Sequence, residues 1–577
     1  MKKILFILLS LFFLLCEGQE THFYLSDYGA VVNKTTKTNG PALQMLLADA
    51  KVASKAGKSV TIHLPKGHLH IYSETLPSYQ LFISNHDHRE QRSVALMVEG
   101  FKDLTIKGDN THLQFHGGVI PLMVKDSEKV TIEGFSIDYP QPAMTQIEVV
   151  DINRLSDEVV VQILPETSYL IKDNQLSVLV DSDTIQVYSA LPFSADGHMK
   201  WGRTDPSFDP KSITEIKAYT LLLKGWGEMP YLELGDRYAL RSYARPFPGI
   251  VITDSKRVKV RNVQVHFANG MGLLAQNSSD ITMDHFSVSL EEHSPRVFTT
   301  VADATHFSGC RGQIISNHGL YENMADDAIN VHGTYLRVDS MLSATEMIAT
   351  FAHPQSFGYN WYHTGDTLRI ISRATLLPII ELLPSHVEVL SPKQLKITMS
   401  EALPETTEPI AIENISAYPI VSFANNIVRN NRARGALFST PRRVECRGNL
   451  FDHTHGSAIL LTGDANGWFE SGPCEKVIIE DNHFINALTA RYHFTDGIIS
   501  IVPQVQRIIE GAYYHGEVIV RNNRFDMFPS PIVYAQSLRK LVFENNQVIM
   551  NNDYAPLFED TTSKFINVGT IITSDPQ

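Results

Sequence analysis

Segments of one kind recur along this chain with a base period near 23 residues, which insertions lengthen in places, and this repeat limits the folds open to it. In the C-terminal part each segment begins with an asparagine that precedes apolar residues, and the intervals between them are 23, 33, 41 and 23 residues. A fixed period of roughly 20–50 residues is typical of solenoids, whose units are short strands joined by turns. We expect the asparagines to stack at one corner in left-handed geometry, hydrogen-bonded along the stack. The series is Asn426, Asn449, Asn482, Asn523 and Asn546.

The N-terminal part has the pattern of a solenoid cap. A strand ending in a turn is predicted over 23–30, and Gly40 and Pro41 then open a helix that Gly57 closes. The next strand, 60–64, stops at Pro65-Lys66-Gly67. This order resembles the start of the extracellular pectin-lyase-like enzymes. The resemblance implies an all-β fold, a right-handed parallel β-helix (solenoid) whose open end is covered by an N-terminal capping helix.

Two stretches interrupt the repeat and divide the chain. Both are rich in β-forming residues and contain a Gly-Asp step, so we interpret them as two inserted small β-barrel-like modules beside the solenoid. The predicted division is a signal peptide at 1–18, the cap and first coils at 19–140, insert 1 at 141–249, central coils at 250–333, insert 2 at 334–418 and C-terminal coils at 419–577.

The first residues have the features of an export signal. Lys2 and Lys3 precede an apolar run from Ile4 to Leu15, which is too short to span a bilayer in the mature protein. Cleavage after Gly18 is predicted. A lipidated Cys16 is the alternative, and only that alternative implies contact with a membrane. Either way we expect an exported protein, periplasmic or at the cell surface of a bacterium.

The remaining composition excludes some classes of partner and site. The net charge of -14 argues against nucleic-acid binding. Outside the predicted signal the chain has three cysteines, Cys310, Cys446 and Cys474, and their spacing matches neither a disulfide framework nor a metal motif. We expect three buried, inert thiols.

Two adjacent carboxylates, Asp326 and Asp327, mark the centre of the chain as unusual. Neighbouring acids repel, so a fold retains them where a site uses them or where water solvates them. Aligning the repeats places small or basic turn residues at the equivalent positions of later coils, for example Arg434-Gly435 and Gly456-Ser457. The acid pair therefore departs from the pattern of the chain's own repeat.

A third carboxylate, Asp303, lies 23 residues before Asp326. Adjacent parallel strands lie about 4.7–4.9 Å apart, so we expect Asp303 directly beside Asp326. Three coupled carboxylates can hold one proton near neutral pH and so provide an acid and a base together. Hydrolysis of a glycosidic bond requires that combination. A lone aspartate in such a turn is more often a turn residue, but three in register favour a functional site.

Seven further residues are candidates for substrate binding, each with a structural alternative. His306, Asn330 and His332 flank the acids, although a histidine there is more often a packed or capping residue. Three ionisable residues before Asp303 form either the rim of the pocket or a solvated charged corner. Trp361, in insert 2, is either a sugar-stacking ring or a core aromatic. The rim candidates are Glu292, His293 and Arg296.

Asp303 and the run Ala325-Asp-Asp-Ala-Ile-Asn-Val-His-Gly333 resemble glycoside hydrolase family 110, the exo-acting α-1,3-galactosidases. The doubled aspartate also resembles the Gly-Asp-Asp of polygalacturonases, but Ala325 replaces that glycine. The family 110 resemblance implies removal of terminal α-1,3-linked galactose with inversion, from blood group B structures and, in one branch, linear chains. It implies that Asp303, Asp326 and Asp327 are the catalytic acids and that no metal or other cofactor takes part. Their division of roles stays open, and we favour Asp326 as the general acid, with Asp303 and Asp327 holding and deprotonating water.

Two other classes remain open at this point. A polysaccharide lyase would use the same fold, with the acids binding calcium and an arginine or lysine as base, although the acid run itself contains no basic residue. A non-catalytic solenoid that binds glycans is the other alternative. The expected partner in every case is a glycan, with terminal α-galactose in the favoured one.

Overall fold

The computed structural model describes residues 20–165, 167–180, 183–227, 231–492 and 495–574. In the described part, one α-helix accompanies a fold that is otherwise built of strands and short 3-10 turns. The predicted signal peptide and its cleavage site lie outside the described residues. No helix in the described part is long and apolar enough to cross a membrane.

The predicted cap is confirmed at the N-terminus. The helix extends over Gly40–Lys55, with proline near its start, and Gly57 follows its end at a φ of +79°. Leu43, Leu46 and Ala50 are fully buried on its inner face. The strand predicted over 23–30 is shorter: Thr21–Tyr24 forms the strand, and a 3-10 helix occupies Leu25–Tyr28, because the chain turns there to reach the helix.

The first coils stack in parallel on this cap. Thr21–Tyr24 pairs with Val60–His63, which pairs in turn with the long strand Lys102–His116. A second 3-10 turn lies at Ser73–Thr75. The strands are Thr21–Tyr24, Val60–His63, Gly67–Tyr72, Ser78–Tyr79, Arg92–Glu99, Lys102–His116, Val119–Lys125 and Glu128–Asp138.

The central coils continue the parallel stack and carry the acids. One row of strands runs through Ile250–Thr253, Leu273–Gln276, Thr305–Ser308 and Ile329–Thr334, each paired in parallel with the next. Alternate side chains of this row, such as Phe307 and Val331, point into the apolar core. The strands are Ile250–Thr253, Lys256–Arg261, Gln264–Val265, Leu273–Gln276, Ser279–Asp284, Ser287–Val288, Thr305–Ser308, Arg311–Asn317, Leu320–Glu322 and Ile329–Thr334.

The C-terminal coils have the same rows. The strands are Ile420–Ala424, Ile427–Arg429, Ala436–Phe438, Arg443–Arg447, Leu450–Asp452, Ile459–Leu461, Glu470–Ser471, Lys476–Glu480, His483–Ile485, Ile499–Ile501, His515–Arg521, Arg524–Met527, Val533–Glu544, Gln547–Met550 and Lys564–Thr573. Glu470–Ser471 is an exception to the parallel order, because it pairs antiparallel with Gly333–Thr334.

The predicted asparagine ladder is present. The Oδ1 atom of Asn449 accepts from the backbone and side-chain nitrogens of Asn426, at 2.9 and 3.2 Å, and Asn449 donates to Asn482 at 2.9 Å. The same pattern continues through Asn523 and Asn546. The predicted left-handed geometry belongs instead to the residue before each ladder member, as at Asn425 with φ 56°. The asparagine itself is free of strain and uses its amide to join the coils.

The two interruptions of the repeat form sheets of their own. Insert 1 contains a six-stranded antiparallel sheet and a three-stranded one, and insert 2 a seven-stranded antiparallel sheet. The pairings leave these sheets open in the described residues, so closure into barrels stays a prediction. Their strands are Thr145–Asn153, Glu158–Ile163, Tyr169–Lys172, Gln175–Val180, Asp183–Gln186, Ser189–Phe193, Ser212–Lys217, Thr220–Lys224 and Arg237–Arg241 in insert 1, and Leu336–Met341, Glu346–Thr350, Leu368–Ser372, Pro378–Leu382, Pro384–Ser391, Gln394–Met399 and Ile410–Asn414 in insert 2.

The three cysteines are as expected from the sequence. Cys310, Cys446 and Cys474 are free thiols with no exposed surface. Burial raises the pKa of the Cys310 thiol to about 12, which keeps it protonated and unreactive.

Candidate active site

The three aspartates meet in one pocket, but in a different register from the predicted one. Thr305 pairs with Ile329, so the coil here is 24 residues long, and Asp303 lies level with Asp327 rather than Asp326. The amide that follows Asp303 donates to the Asp327 carbonyl at 2.8 Å. One oxygen from each of the three carboxylates lies within 4.8 Å of the others. The predicted convergence is therefore confirmed, and the extra residue in the coil explains the shifted pairing.

The three carboxyl groups have different surroundings. Side-chain exposure is 4% for Asp303, 1% for Asp327 and 22% for Asp326. Burial, together with the neighbouring acids, raises the pKa of Asp303 and of Asp327 well above the ordinary carboxyl value. Burial also acts on Asp326, but surrounding arginines outweigh it and lower the pKa of that carboxyl. The free protein therefore keeps its negative charge mainly on Asp326.

Arginines from the next coil and from insert 1 supply the positive charge. Arg434 donates to Asp327 twice, from Nη2 to Oδ2 at 2.9 Å and from its backbone nitrogen to Oδ1 at 2.8 Å. Arg432 lies 3.4 Å from Asp326 and is held by Asp205 at 2.7 Å. Asp205 also binds Arg241 of insert 1.

The alignment of repeats placed Arg434 level with Asp326 and interpreted it as a turn residue. The register corrects this interpretation by one residue: Ile329 pairs with Ala436, so Arg434 lies level with Asp327. A basic residue at the level of an acid one coil away is the signal that could have identified the ion pair.

Two histidines connect Asp303 to the other side of the pocket. His306 Nδ1 lies 2.7 Å from Asp303 Oδ2, and His306 Nε2 lies 2.8 Å from His332 Nε2. His332 Nδ1 lies 2.5 Å from the carbonyl oxygen of Gly333. Both rings are 1% exposed, and His332 does not line the pocket. The prediction that the two histidines flank the acids is confirmed, but their ring nitrogens are occupied by protein atoms rather than presented to a sugar.

Asn330 is placed as predicted, on the pocket wall. Its Nδ2 lies 3.5 Å from Glu470 Oε2, and its buried Oδ1 has no hydrogen-bond partner. Glu470 also accepts from Asn85 at 3.1 Å. A buried carbonyl oxygen without a donor costs free energy, and a ligand hydroxyl in the pocket would satisfy it.

An aromatic platform at the pocket comes from a residue that the sequence did not single out. Trp468 is 43% exposed, lines the pocket and stacks against His353 with ring centroids 4.2 Å apart. The Arg245 guanidinium lies 5.0 Å from the centre of the same ring. Trp468 lies in the loop that lengthens one ladder interval to 33 residues, and that insertion was the available signal.

Besides His332, four predicted contacts lie outside this pocket. Trp361 is 6% exposed in the core of insert 2, where its Nε1 donates to the Thr334 carbonyl, so it is the core aromatic of the two alternatives. The predicted rim borders a separate cavity beside insert 1, where Arg296 binds Asp138 at 2.7 Å. The rim residues lie early in the connection between the strand that ends at Val288 and the one that begins at Thr305, and this part of the connection borders insert 1 rather than the acids, which explains the error. These residues are Glu292, His293 and Arg296.

Several groups of side chains bring metal-ligating atoms together. In the group of three aspartates, arginines already supply the opposite charge. In the group of His306, His332 and Glu470, hydrogen bonds occupy the ring nitrogens. Ion pairs and hydrogen bonds between protein groups therefore account for both of these arrangements. A third group, on the surface, consists of Asp284, His285 and His318.

The solved structures similar to this chain resemble it only weakly. No protein-family model matches the chain. Among solved structures, the chain is similar to a mannuronan C-5 epimerase A-module from Azotobacter vinelandii, with a TM-score of 0.40, 8% identity and coverage of 94% of this chain and 99% of that one. That similarity is too low to support an argument.

Curated sequences are far more similar. Alpha-1,3-galactosidase B of Parabacteroides distasonis is 36% identical, over 97% of this chain and 93% of that protein. A protein of the same name from Phocaeicola vulgatus is 38% identical, over 94% and 92%. Alpha-1,3-galactosidase A of Bacteroides fragilis is 28% identical, over 96% and 92%. Identity above 30% over nearly the full length of both proteins shows that the chain belongs to the alpha-1,3-galactosidase B family.

Proposed function

We propose that this protein is an exo-acting glycoside hydrolase that removes terminal α-1,3-linked galactose from oligosaccharides and glycoconjugates, both blood group B structures and linear α-1,3-galactosyl chains. The observation that carries the proposal is the convergence of three carboxylates, two with raised pKa and one with lowered pKa, in one pocket. Separated pKa values among neighbouring carboxyls provide an acid and a base at one pH. The names of the relatives support the choice of bond and sugar.

Asp326 is the proposed general acid. It is the most exposed of the three carboxyls and so the one best placed to reach the leaving oxygen. In the free protein Asp326 carries charge, which is opposite to the state that an acid needs. A bound sugar would displace water from Asp326 and raise its pKa, whereas Asp303 and Asp327 are already desolvated.

The proton would come from within the cluster. Asp327 has a raised pKa in the free protein. Once its proton has moved to Asp326, the Arg434 guanidinium, which already donates to Asp327, would neutralise the carboxylate. Asp303 and Asp327 would then hold and deprotonate the attacking water. Kinetics on two leaving groups test this division: Asp326→Ala should retain most activity on an activated aryl α-galactoside and lose it on a disaccharide. Equal loss on both substrates would refute Asp326 as the acid.

Recognition of the sugar is assigned to the pocket wall. Asn330 Oδ1 would accept from a galactose hydroxyl, and the Trp468 ring would pack against the apolar face of the sugar. Arg434 would donate to a ring substituent while it holds Asp327. We further propose that the protein acts on glycans outside the cytoplasm, since the first residues predict export.

The stereochemical outcome is proposed to be inversion. Carboxyl pairs about 6.5–9.5 Å apart are usual in inverting enzymes and about 5–5.5 Å in retaining ones, and the oxygens here approach within 4.8 Å. Distance alone would thus favour retention. A water held by two of the three acids would instead attack the anomeric carbon on the face opposite the leaving oxygen, which gives inversion. Proton NMR of the first-formed galactose decides: β-galactose supports inversion, and α-galactose refutes it.

The test of the function is a comparison of bonds. We expect free galactose from linear α-1,3-galactobiose and from the blood group B trisaccharide, and none from the α-1,4 and α-1,6 isomers. Asp327→Asn should abolish release without loss of fold. Binding of the sugar with no turnover by the unmodified protein would favour a glycan-binding solenoid. An ultraviolet-absorbing product that disappears with a chelator would favour a lyase.

A further inference from the structure

The direction of each hydrogen bond in the histidine chain limits where its protons can lie. The Gly333 carbonyl only accepts, so His332 Nδ1 carries a hydrogen. If both rings are neutral, His332 Nε2 is bare and must accept from His306 Nε2 at 2.8 Å. His306 Nδ1 is then bare as well, and at 2.7 Å it must accept from Asp303. With neutral histidines, Asp303 is therefore a protonated carboxylic acid.

A second arrangement uses the same number of protons. If Asp303 is ionised, His306 Nδ1 must be the donor to it, so His306 Nε2 is bare. His332 Nε2 then carries a hydrogen in addition to the one on Nδ1, and His332 is a cation. Its ring nitrogen lies 3.5 Å from Glu470, and the pKa of Glu470 is lowered because, although burial opposes it, the two histidines and Arg434 favour its charged form. The carboxylate that would stabilise the cation is already in place.

We propose that His306 and His332 form a proton relay that converts Asp303 from an acid into a base by carrying its proton to His332, next to Glu470. This inference rests on the proposed function. The Asp303 O–H bond breaks and a bond to His306 Nδ1 forms, while the hydrogen on His306 Nε2 moves to His332 Nε2. No proton enters or leaves, so the step needs no partner beyond the chain itself.

The relay fits the proposed hydrolysis. Ionised Asp303 takes a proton from the attacking water as the oxygen–carbon bond forms, while Asp326 gives its proton to the leaving oxygen. The protein then holds one extra proton on the relay side and lacks one on Asp326. Transfer among the three carboxyls, whose oxygens lie within 4.8 Å, restores the starting state.

The surroundings of the relay favour the neutral form of His306, which lies between Asp303 and His332. Burial, followed by His332, lowers the pKa of His306 well below its ordinary value. The charged groups that also act on it are Glu470, Arg245 and Asp326. His86, another buried histidine, has its pKa lowered mainly by burial. Its Nδ1 donates to the Ser84 carbonyl and its Nε2 accepts from the Met271 amide, so both ring nitrogens are occupied outside the relay.

The first test needs no turnover. Infrared spectra of the free protein near neutral pH should contain the carbonyl stretch of a buried, protonated carboxyl that disappears in Asp303→Asn. The same band should move in His306→Phe, because its acceptor is lost. A spectrum without an Asp303-dependent band would overturn the relay, whatever the activity of the protein.

The second test separates transfer from positioning. Glutamine at position 332 can keep a hydrogen bond but cannot become a cation, whereas phenylalanine can do neither. A relay predicts that His332→Gln and His332→Phe lose kcat to a similar extent, about 10²-fold, with KM nearly unchanged. A role limited to positioning predicts that His332→Gln keeps most of its kcat, and this result would overturn the proposal.

A matched control removes a buried histidine elsewhere. His515 is 1% exposed and accepts from the Cys474 amide, remote in sequence from the acids. His515→Gln should lower thermal stability about as much as His332→Gln and leave kcat unchanged. Failure of the unmodified protein to release galactose from any α-galactoside would reject the proposed function, while the infrared result would still decide the protonation of Asp303.

Discussion

The coils that carry the asparagine ladder and the coils that carry the carboxylates stack in the same way, but the stacking has opposite effects on stability in the two regions. In the ladder, the repeated amide donates and accepts along the stack, and each buried polar group finds its partner in the next coil. At the acids, stacking brings like charges together, and arginines of the following coil only partly compensate. One region gains stability from repetition, and the other gives up stability by departing from it.

The largest effect that tests this contrast is expected from Asp326→Asn. This change keeps the shape of the side chain and removes the proposed acid, so kcat on α-1,3-galactobiose should fall by about 10³-fold or more. The melting temperature should fall only slightly, since the arginines lose their attraction to Asp326 while Asp303 and Asp327 lose a charged neighbour. Calorimetry together with galactose release measures both. A variant that unfolds, or that retains a tenth of the activity, would contradict the contrast between the regions.

Arg434→Leu tests the compensation itself. Without the guanidinium, Asp327 stays buried with two acidic neighbours, so its pKa rises further and its ionised form appears only at higher pH. We expect kcat to fall about 10²-fold and the acidic limb of the pH–rate profile to move to higher pH. Arg443→Leu is the control, because Arg443 pairs with Glu445 at an exposed site. An unchanged acidic limb would show that Arg434 does not set the ionisation of Asp327.

Asn449→Ala is the converse change, in the ladder. Alanine removes the acceptor of two Asn426 nitrogens and leaves buried groups unpaired. The free energy of unfolding should drop by about 2–3 kcal/mol, with kcat of the folded fraction within twofold. Urea unfolding and active-fraction kinetics check the two halves. A large loss of kcat at unchanged stability would place the ladder in the active site.

Trp468→Ala addresses binding rather than chemistry. Loss of the exposed ring should raise KM about tenfold and change kcat little, since stacking contributes about 0.5–1.5 kcal/mol beyond burial. Trp361→Phe is the matched change in a buried tryptophan, and it should lower stability while KM stays the same. The assignment fails if the two variants exchange these effects.

The smallest expected effect is a pH slope of stability. The pKa of Asp303 is higher in the folded than in the unfolded chain, so the folded protein binds the extra proton between the ordinary carboxyl pKa and the raised one. Stability from this group is present at low pH and declines as pH rises through that window. Asp303→Asn should therefore stabilise the protein more at pH 8 than at pH 4. Equal effects at both values, measured by denaturant unfolding, would contradict the raised pKa.

Much of this architecture follows from local sequence, because a stacked coil repeats its contacts. The ladder and the meeting of the three aspartates come from residues at a near-constant spacing, and the capping helix follows from its own start and stop residues. The pairing of Asp303 with Asp327 does not, because a coil of 24 residues in place of 23 cannot be recognised without its neighbours. Trp468, Glu470 and Arg245 reach the pocket from loops and an insert, and no periodicity links such segments to the acids.

The loop between Leu461 and Lys476 has a consequence for how relatives of this chain can diverge. It enlarges one ladder interval, yet the coils on both sides remain in register, as the Asn449–Asn482 hydrogen bond shows. It also delivers Trp468 and Glu470 to the sugar pocket. Changes there that keep Glu470 leave the aspartates and the histidine chain in place, so sugar preference can evolve by changes in the rest of this one corner loop.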